Sequence, residues 1–216
     1  MFAMSAAPAR LCLLDDGYRR EVRRLLYDAY PSEPTFAWLF DAQRGGYQRR
    51  LRAMIRAWVR QHFYMQLPAL GLLVDDRLIA VALIAPPQRR LGVADSWMWR
   101  LRMLIGAGRR STRRYLAYQA ALAACLPTQQ VHVLSLLGVH PQVQGQHYAE
   151  KLLQAVHDWC AKDLETQGVV LSTGNPHYYG FCERMGYQEV GELALGSVNE
   201  RVFFNPNPSS VKTIAS

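Results

Sequence analysis

A chain of 216 residues, half of them hydrophobic, is long enough for one domain with a sizeable core and too apolar for a disordered segment. Its 25 basic residues against 17 acidic give a formal charge of +8, which favours an anionic partner (nucleic acid, a membrane surface or a phosphorylated small molecule) without choosing one. Cys12, Cys125, Cys160 and Cys182 lie far apart with no CxxC pair, which argues against a zinc site or a disulfide framework and for free thiols in a reducing cytoplasm.

Residues 1–9 are small and apolar, too short for a secretory leader, and are expected to be a flexible N-terminus. No apolar run approaches the ~20 residues of a membrane span, so a soluble cytoplasmic protein is expected. Arg10 to Leu14 reads as a short strand, stopped by Asp15-Asp16-Gly17. Either aspartate can cap the next helix, where Tyr18, Val22, Leu25, Leu26 and Ala29 recur at helical spacing. Tyr30-Pro31-Ser32-Glu33-Pro34 is a loop, since prolines so close together cannot continue a helix. Phe36 to Phe40 is a short aromatic helix or turn, and Asp41 to Gly46 breaks it.

Tyr47 to His62 is helical again, with Leu51, Met54, Ile55 and Val59 in the apolar stripe and Arg49, Arg52, Arg56 and Arg60 on the other side, a pattern first read as a solvated face. Leu70 to Val74 and Leu78 to Ile84 flank the polar turn Asp75-Asp76-Arg77, which predicts an antiparallel hairpin. Between Gln88 and Pro127 eight arginines face one acid, Asp95, among interleaved Trp97, Met98, Trp99, Leu101, Leu104 and Ile105. Gly106-Ala107-Gly108 separates two expected helices there. Such a segment reads either as a surface helix pair with one side in the core or as a nucleic-acid or membrane-surface face.

Val131 to Val139 is a buried strand stopped by His140-Pro141, and a polar loop leads from it into an amphipathic helix from His147 to about Lys162. The free amides of that first turn and the helix dipole together favour an anion. Gly168 to Ser172 is a second buried strand, expected parallel to the first because a helix joins them. Asn175-Pro176 starts another helix, Gly186 ends it, and Tyr187 to Leu195 with Val198 to Phe204 form a closing hairpin. Residues 10–204 are thus expected as a single domain, with 205–216 a loose tail and a monomer or homodimer both open.

Leu137-Gly138-Val139 followed by Gln144-Gly145-Gln146-His147-Tyr148-Ala149 resembles the Q/R-x-x-G-x-G/A signature of the GNAT N-acetyltransferase superfamily. Asn175, then five residues, then Phe181-Cys182-Glu183-Arg184-Met185-Gly186-Tyr187 is similar to that family's second motif. Trp38-Leu39-Phe40 and Pro86-Pro87 resemble features of the puromycin-N-acetyltransferase-like branch. The resemblance implies an α/β (α+β) GNAT fold: a mixed, mostly antiparallel sheet with a splayed parallel strand pair and helices on both faces. It also implies acetyl-CoA as acyl donor and a small amine as acceptor, with no metal.

By the same resemblance, the amides from Gln144 to Ala149 hold the pyrophosphate, Leu137 and Val139 the pantetheine, and Gly138, Asn175 and Phe181 complete the cofactor side. The reaction needs a base for the ammonium, an oxyanion donor and an acid for the thiolate. Two departures stand out. His147 replaces a glycine, where a β-carbon can crowd the phosphate or an imidazole can contact it. Cys182 replaces the tyrosine expected to protonate the thiolate. The thiol can fill that role or be a small buried hydrophobe, with Tyr178 or Tyr179 as substitutes. No carboxylate lies on the Val131–Val139 strand; His132 and His140 flank it, and Tyr30 and Glu33 lie where the acceptor enters relatives. Two functional readings follow: an N-acyltransferase of small amines, or a GNAT-fold protein that binds CoA with weak or no transfer.

Overall fold

The computed structural model describes residues 8–87 and 93–207, with 93–96 described by backbone alone. Seven strands are present: β1 (Arg10–Leu13), β2 (Ala69–Val74), β3 (Arg77–Ala85), β4 (His132–Val139), β5 (Gly168–Thr173), β6 (Gln188–Leu195) and β7 (Val198–Pro206). They form one mixed sheet in the order β1-β2-β3-β4-β5-β7-β6. Every neighbouring pair is antiparallel except β4–β5. The turn between β2 and β3 holds Asp75 and Asp76 at φ +49° and +56°. That geometry suits a two-residue hairpin, because its twist matches the right-handed twist of the strands.

Helices cover both faces. On one lie α1 (Arg19–Ala29), α2 (Pro34–Leu39), α3 (Tyr47–Tyr64) and α4 (Val93–Ala124); on the other lie α5 (Tyr148–Cys160) and α6 (Tyr179–Arg184). Period-two alternation divides β3 between them. Val81 and Leu83 enter the cluster under α1–α4, whereas Ala80, Ala82 and Ile84 enter the cluster under α5. Both faces being buried accounts for the near-continuous apolar run of this strand.

The arginine-rich segment, named as a whole α4, forms two helices that meet at a kink at Gly108 (φ +83°, ψ 164°), a conformation that glycine adopts without steric cost. The kink falls in the Gly106-Ala107-Gly108 stretch where the sequence places the break. One boundary differs from the sequence reading. At the C-terminal end, β7 pairs with β5 as far as Gly168↔Pro206. Asn207 is buried, donates its amide to the Gln167 carbonyl at 2.8 Å, and reaches the Asp163 and Thr166 carbonyls with its side chain. The closing strand therefore runs past residue 204, and the groups beyond it hold the loop that leads into β5.

One feature of the sheet positions everything that follows. β4 and β5 pair only at His132↔Val169 and Val133↔Val170. β5 continues along β7 to Thr173↔Arg201, while β4 continues along β3 to Val139↔Ala80. The two parallel strands therefore part after their first rungs and leave a fork.

Candidate active site

The edge of β4 that faces the fork has no strand to pair with after Val133. Side chains take the place of that strand. The Tyr30 hydroxyl donates to the Leu137 carbonyl at 2.9 Å and accepts from the Leu137 amide at 3.0 Å. Gln144 donates its carboxamide to the Val139 carbonyl at 3.1 Å. Leu137 and Val139, the backbone groups assigned to pantetheine by resemblance, are thus both engaged from within the chain. Gly138 between them has a different local reason. A β-carbon there would lie 2.9 Å from Leu26 Cδ2 and 3.1 Å from Leu25 Cδ2, so glycine lets α1 lie close on the strand.

Tyr30 is carried into the fork by the loop between α1 and α2, together with Glu33. Glu33 caps α2 by accepting from the Phe36 amide at 2.9 Å. Burial is the main influence on its carboxyl, which is pushed up to about 7; nearby Glu200 acts in the same direction, and the amides of Phe36, Gly174 and Thr35 oppose it. The fork therefore holds a carboxyl group that exchanges its proton near neutrality. Gly174 follows β5, so this side chain lies on the β5 side of the fork, near Tyr30.

Behind Glu33 stands Glu200 on β7, 1% exposed. It accepts from Thr35 Oγ1 at 2.5 Å and from the Tyr118 hydroxyl at 2.7 Å; Tyr118 in turn lies 3.1 Å from Ser172 Oγ on β5. A buried carboxylate with two hydroxyl donors is well satisfied and fixes α2, α4 and the sheet to one another. Glu33, Glu200 and Tyr178 all raise the Tyr30 hydroxyl further above its ordinary range, a shift led by burial. These groups therefore lie near one another. In the sequence Tyr30 and Glu33 stand out only by lying where the acceptor enters relatives. Glu200 carried no signal, since one glutamate in a hairpin strand is unremarkable until its partners are known.

The three candidates for protonating the thiolate occupy different surroundings. Tyr178 ends the short 3-10 turn after β5, is 42% exposed, and lies near Tyr30. Cys182 on α6 is 2% exposed and packs in the cluster with Leu152, Leu153 and Tyr187. Burial pushes its thiol up to about 12, so it keeps its proton at neutral pH. Tyr179 donates to the Asn199 carbonyl and stacks under the Arg201 guanidinium. Asn175 caps the 3-10 turn by accepting from the His177 amide at 3.1 Å, and Phe181 packs half-buried against the α5-side core.

In the loop between β4 and α5, Gln144, Gly145, Gln146 and His147 are exposed, and Tyr148 and Ala149 open α5. Gly145 has φ +80°, and a β-carbon built on it meets nothing within 4 Å. His147 holds a left-handed conformation (φ +61°) at the helix start, a backbone that the glycine expected there would adopt freely. Its imidazole points to solvent and pairs with Glu150 at 3.2 Å. The first-turn amides of α5 have no helical acceptor by construction, and the loop above them is open, so these residues fit an anion. No group of three or more His, Cys, Asp or Glu able to hold a metal occurs among the described residues.

Comparison with known proteins agrees with this geometry. Residues 21–187 match the family described as the acetyltransferase (GNAT) family. No curated protein matches the chain in sequence. Among solved structures, the chain is similar to a histone acetyltransferase HPA2 and related acetyltransferase from Corynebacterium glutamicum (TM-score 0.68, 15% identity, 92% of this chain and 96% of that one). It is also similar to the C-terminal condensation domain of Ebony in complex with beta-alanyl-dopamine (TM-score 0.65, 12% identity, 93% and 99%). A third is the polyamine N-acetyltransferase of Drosophila melanogaster, which forms N-acetylagmatine (TM-score 0.63, 17% identity, 92% and 100%). At these identities the likeness is one of fold.

Proposed function

The chain belongs to the GNAT acetyltransferase family, and from that premise we propose that it transfers the acetyl group of acetyl-CoA to an amine of a small molecule, by direct attack with both reactants bound. The single observation that carries this reading is Glu33: a half-buried carboxyl beside the fork of β4 and β5, pushed up to about 7. A general base works best when its pKa lies near the operating pH. Ionised Glu33 takes a proton from the incoming ammonium and delivers a neutral nucleophile to the fork. Burial beside a second carboxylate, Glu200, favours a cationic amine over a neutral one at this spot.

Acetyl-CoA would supply the activated thioester. The residues that hold it are the amides from Gln144 to Ala149 for the pyrophosphate and the fork-facing edge of β4 for the pantetheine. Open space at Gly145 and the unpaired first-turn amides of α5 support that assignment. Asn175 and Phe181 shape the far wall. Tyr178, exposed and close to Tyr30, is the best placed of the three proton donors considered for the thiolate; Cys182 serves packing and Tyr179 is engaged by Asn199 and Arg201. Within the family, Trp38-Leu39-Phe40 and Pro86-Pro87 support the puromycin-N-acetyltransferase-like branch. The four free thiols suit the reducing cytoplasm as the place of work.

The test is to mix the protein with acetyl-CoA and a panel of small amines and follow release of free thiol. Turnover with at least one cationic amine, lowered at least about a hundredfold in Glu33→Gln, is expected for loss of a general base. Equal turnover in Glu33→Gln would remove Glu33 from the mechanism. Binding of acetyl-CoA without thiol release across the panel would instead leave a CoA-binding protein. The engagement of Leu137 by Tyr30 is the feature that favours that second reading.

A further inference from the structure

Acyl transfer leaves the outer sides of α3 and α4 without a task, and they are chemically unusual. From Trp97 to Ala107, α4 is apolar on two sides. Trp99, Met103 and Ala107 repeat every four residues and are buried in the core under the sheet. Trp97, Met98, Leu101, Leu104 and Ile105 fall on the opposite side at helical spacing, and all are exposed, Ile105 at 79% and Trp97 at 62%. Arg100 and Arg102 lie on the two borders between these faces, one on each. α3 runs alongside, close enough that a β-carbon at Gly106 would lie 2.9 Å from Ala53 Cβ. Arg49, Arg56 and Arg60 share the side of α3 that carries Ala53, and all three are exposed.

Neither α3 nor α4 from Trp97 onward contains an aspartate or glutamate. Among the described residues, the ion pairs from these helices are those of Arg110 and Arg114 to Asp41; Arg49, Arg56, Arg60, Arg100 and Arg102 have none. An exposed apolar strip is thus framed by guanidinium groups with no acidic partner among the described residues. We propose that this face docks on the surface of an anionic lipid bilayer, with the strip at the boundary of headgroups and acyl chains and the arginines against the lipid phosphates. A helix with this pattern lies in the plane of the interface, and arginine stems let the charged heads reach outward from it.

Charge decides against the other occupants. A second copy of the chain would bring two acid-free arginine frames together. A nucleic-acid duplex would satisfy the arginines but would offer Leu101, Leu104 and Ile105 no apolar phase to enter. Only a bilayer with anionic headgroups accommodates both halves of the pattern. The inference does not depend on the acyl-transfer reading, since no residue of the fork belongs to this face.

The test is sedimentation of the full chain with vesicles of phosphatidylcholine alone or mixed with phosphatidylglycerol. Binding is expected only to the mixed vesicles, and weaker as salt rises. Arg100→Glu with Arg102→Glu should weaken it by on the order of 25-fold or more, since each arginine near an anionic surface is worth on the order of fivefold. Trp97→Ser with Leu101→Ser and Ile105→Ser should weaken it by at least about tenfold with an unchanged thermal melt, because these side chains leave water only at the membrane. No binding to mixed vesicles at low salt overturns the proposal, as does binding that the arginine variant leaves unchanged. Should the serine variant misfold, the arginine variant and the salt series decide. A dimer that the serine variant dissociates, in a protein that ignores vesicles, would assign the face to a second copy. Duplex DNA binding lost in the arginine variant, again without vesicle binding, would assign it to nucleic acid.

Discussion

The Tyr30 hydroxyl bridges the amide and the carbonyl of Leu137, at 3.0 Å and 2.9 Å, across 107 residues of sequence. One side-chain oxygen therefore does for β4 what a neighbouring strand does elsewhere in the sheet, accepting and donating at the same residue. Tyr30→Phe removes both bonds and leaves two backbone groups without a protein partner. The expected cost is about 1–2 kcal/mol of stability, as for backbone groups that lose their hydrogen bonds in a half-buried place. If pantetheine takes the same edge of β4, saturating acetyl-CoA should restore more of the melting temperature to the variant than it adds to the parent. A melt that Tyr30→Phe leaves unchanged would mean that water replaces the hydroxyl at no cost.

Glu33 predicts a pH dependence whose sign is fixed by the direction of its shift. The carboxyl is raised from its ordinary 4.5 to about 7, chiefly by burial, so the folded chain binds its proton more tightly than the unfolded one. This contribution to stability is fully present below about 4.5 and is lost as pH rises through about 7. Activity moves the other way, because only the ionised form accepts a proton; kcat/KM should climb through pH 7 and level off above it. In Glu33→Gln both the climb and the stability loss in that window should vanish. A pH–rate profile and a series of melts from pH 4 to pH 8 measure the two together, and a climb that persists in the variant would assign it to another group.

How much of this was readable beforehand depends on the distance over which each interaction acts. The strand, loop and helix from Val131 to Cys160 declare themselves because alternation and helical spacing are local properties, and so does the hairpin at Asp75-Asp76. The fork is harder to see. That β4 and β5 run parallel follows from the helix between them, but that they pair at only two positions follows from how β7 inserts beside β5. Tyr30 and Glu33 come from one loop and Glu200 from a strand far along the chain, and only tertiary packing gives the Glu33 carboxyl its raised pKa. Cys182 shows the reverse. A motif position drew attention to it, while its surroundings are those of a core residue.

His147 is a local strain that glycine would relieve. Its φ of +61° lies where a β-carbon crowds the backbone, at a cost of about 1–2 kcal/mol, and its exposed imidazole meets only Glu150. Glycine is freer in the unfolded chain, which takes back about 0.4–1 kcal/mol. His147→Gly should therefore be neutral or stabilising by up to about 1.5 kcal/mol, and acetyl-CoA affinity by calorimetry should be kept or improved. A clear loss of affinity would make the imidazole a phosphate contact.

Gly174 couples the packing behind the fork to the position of the base. A β-carbon there would lie 2.3 Å from Thr35 Oγ1 and 2.7 Å from Val198 Cγ1. Thr35 is buried and holds Glu200, so it has nowhere to retreat without releasing that carboxylate. Gly174→Ala should therefore cost about 1–3 kcal/mol, the usual range for overpacking. It should also displace the start of α2, where Thr35 is preceded by Pro34 and the capping Glu33. Thermal melts read the first effect. The second should appear as a fall in kcat/KM of about tenfold or more, because misplacing a catalytic group by even about 1 Å is expensive. Thr35→Ala separates the two causes: combined with Gly174→Ala it makes room for the new methyl group, and the double variant should regain part of the stability but not the hydroxyl that restrains Glu200. Full activity in Gly174→Ala, with the stability lost, would show that Glu33 is positioned independently of the Thr35–Glu200 pair.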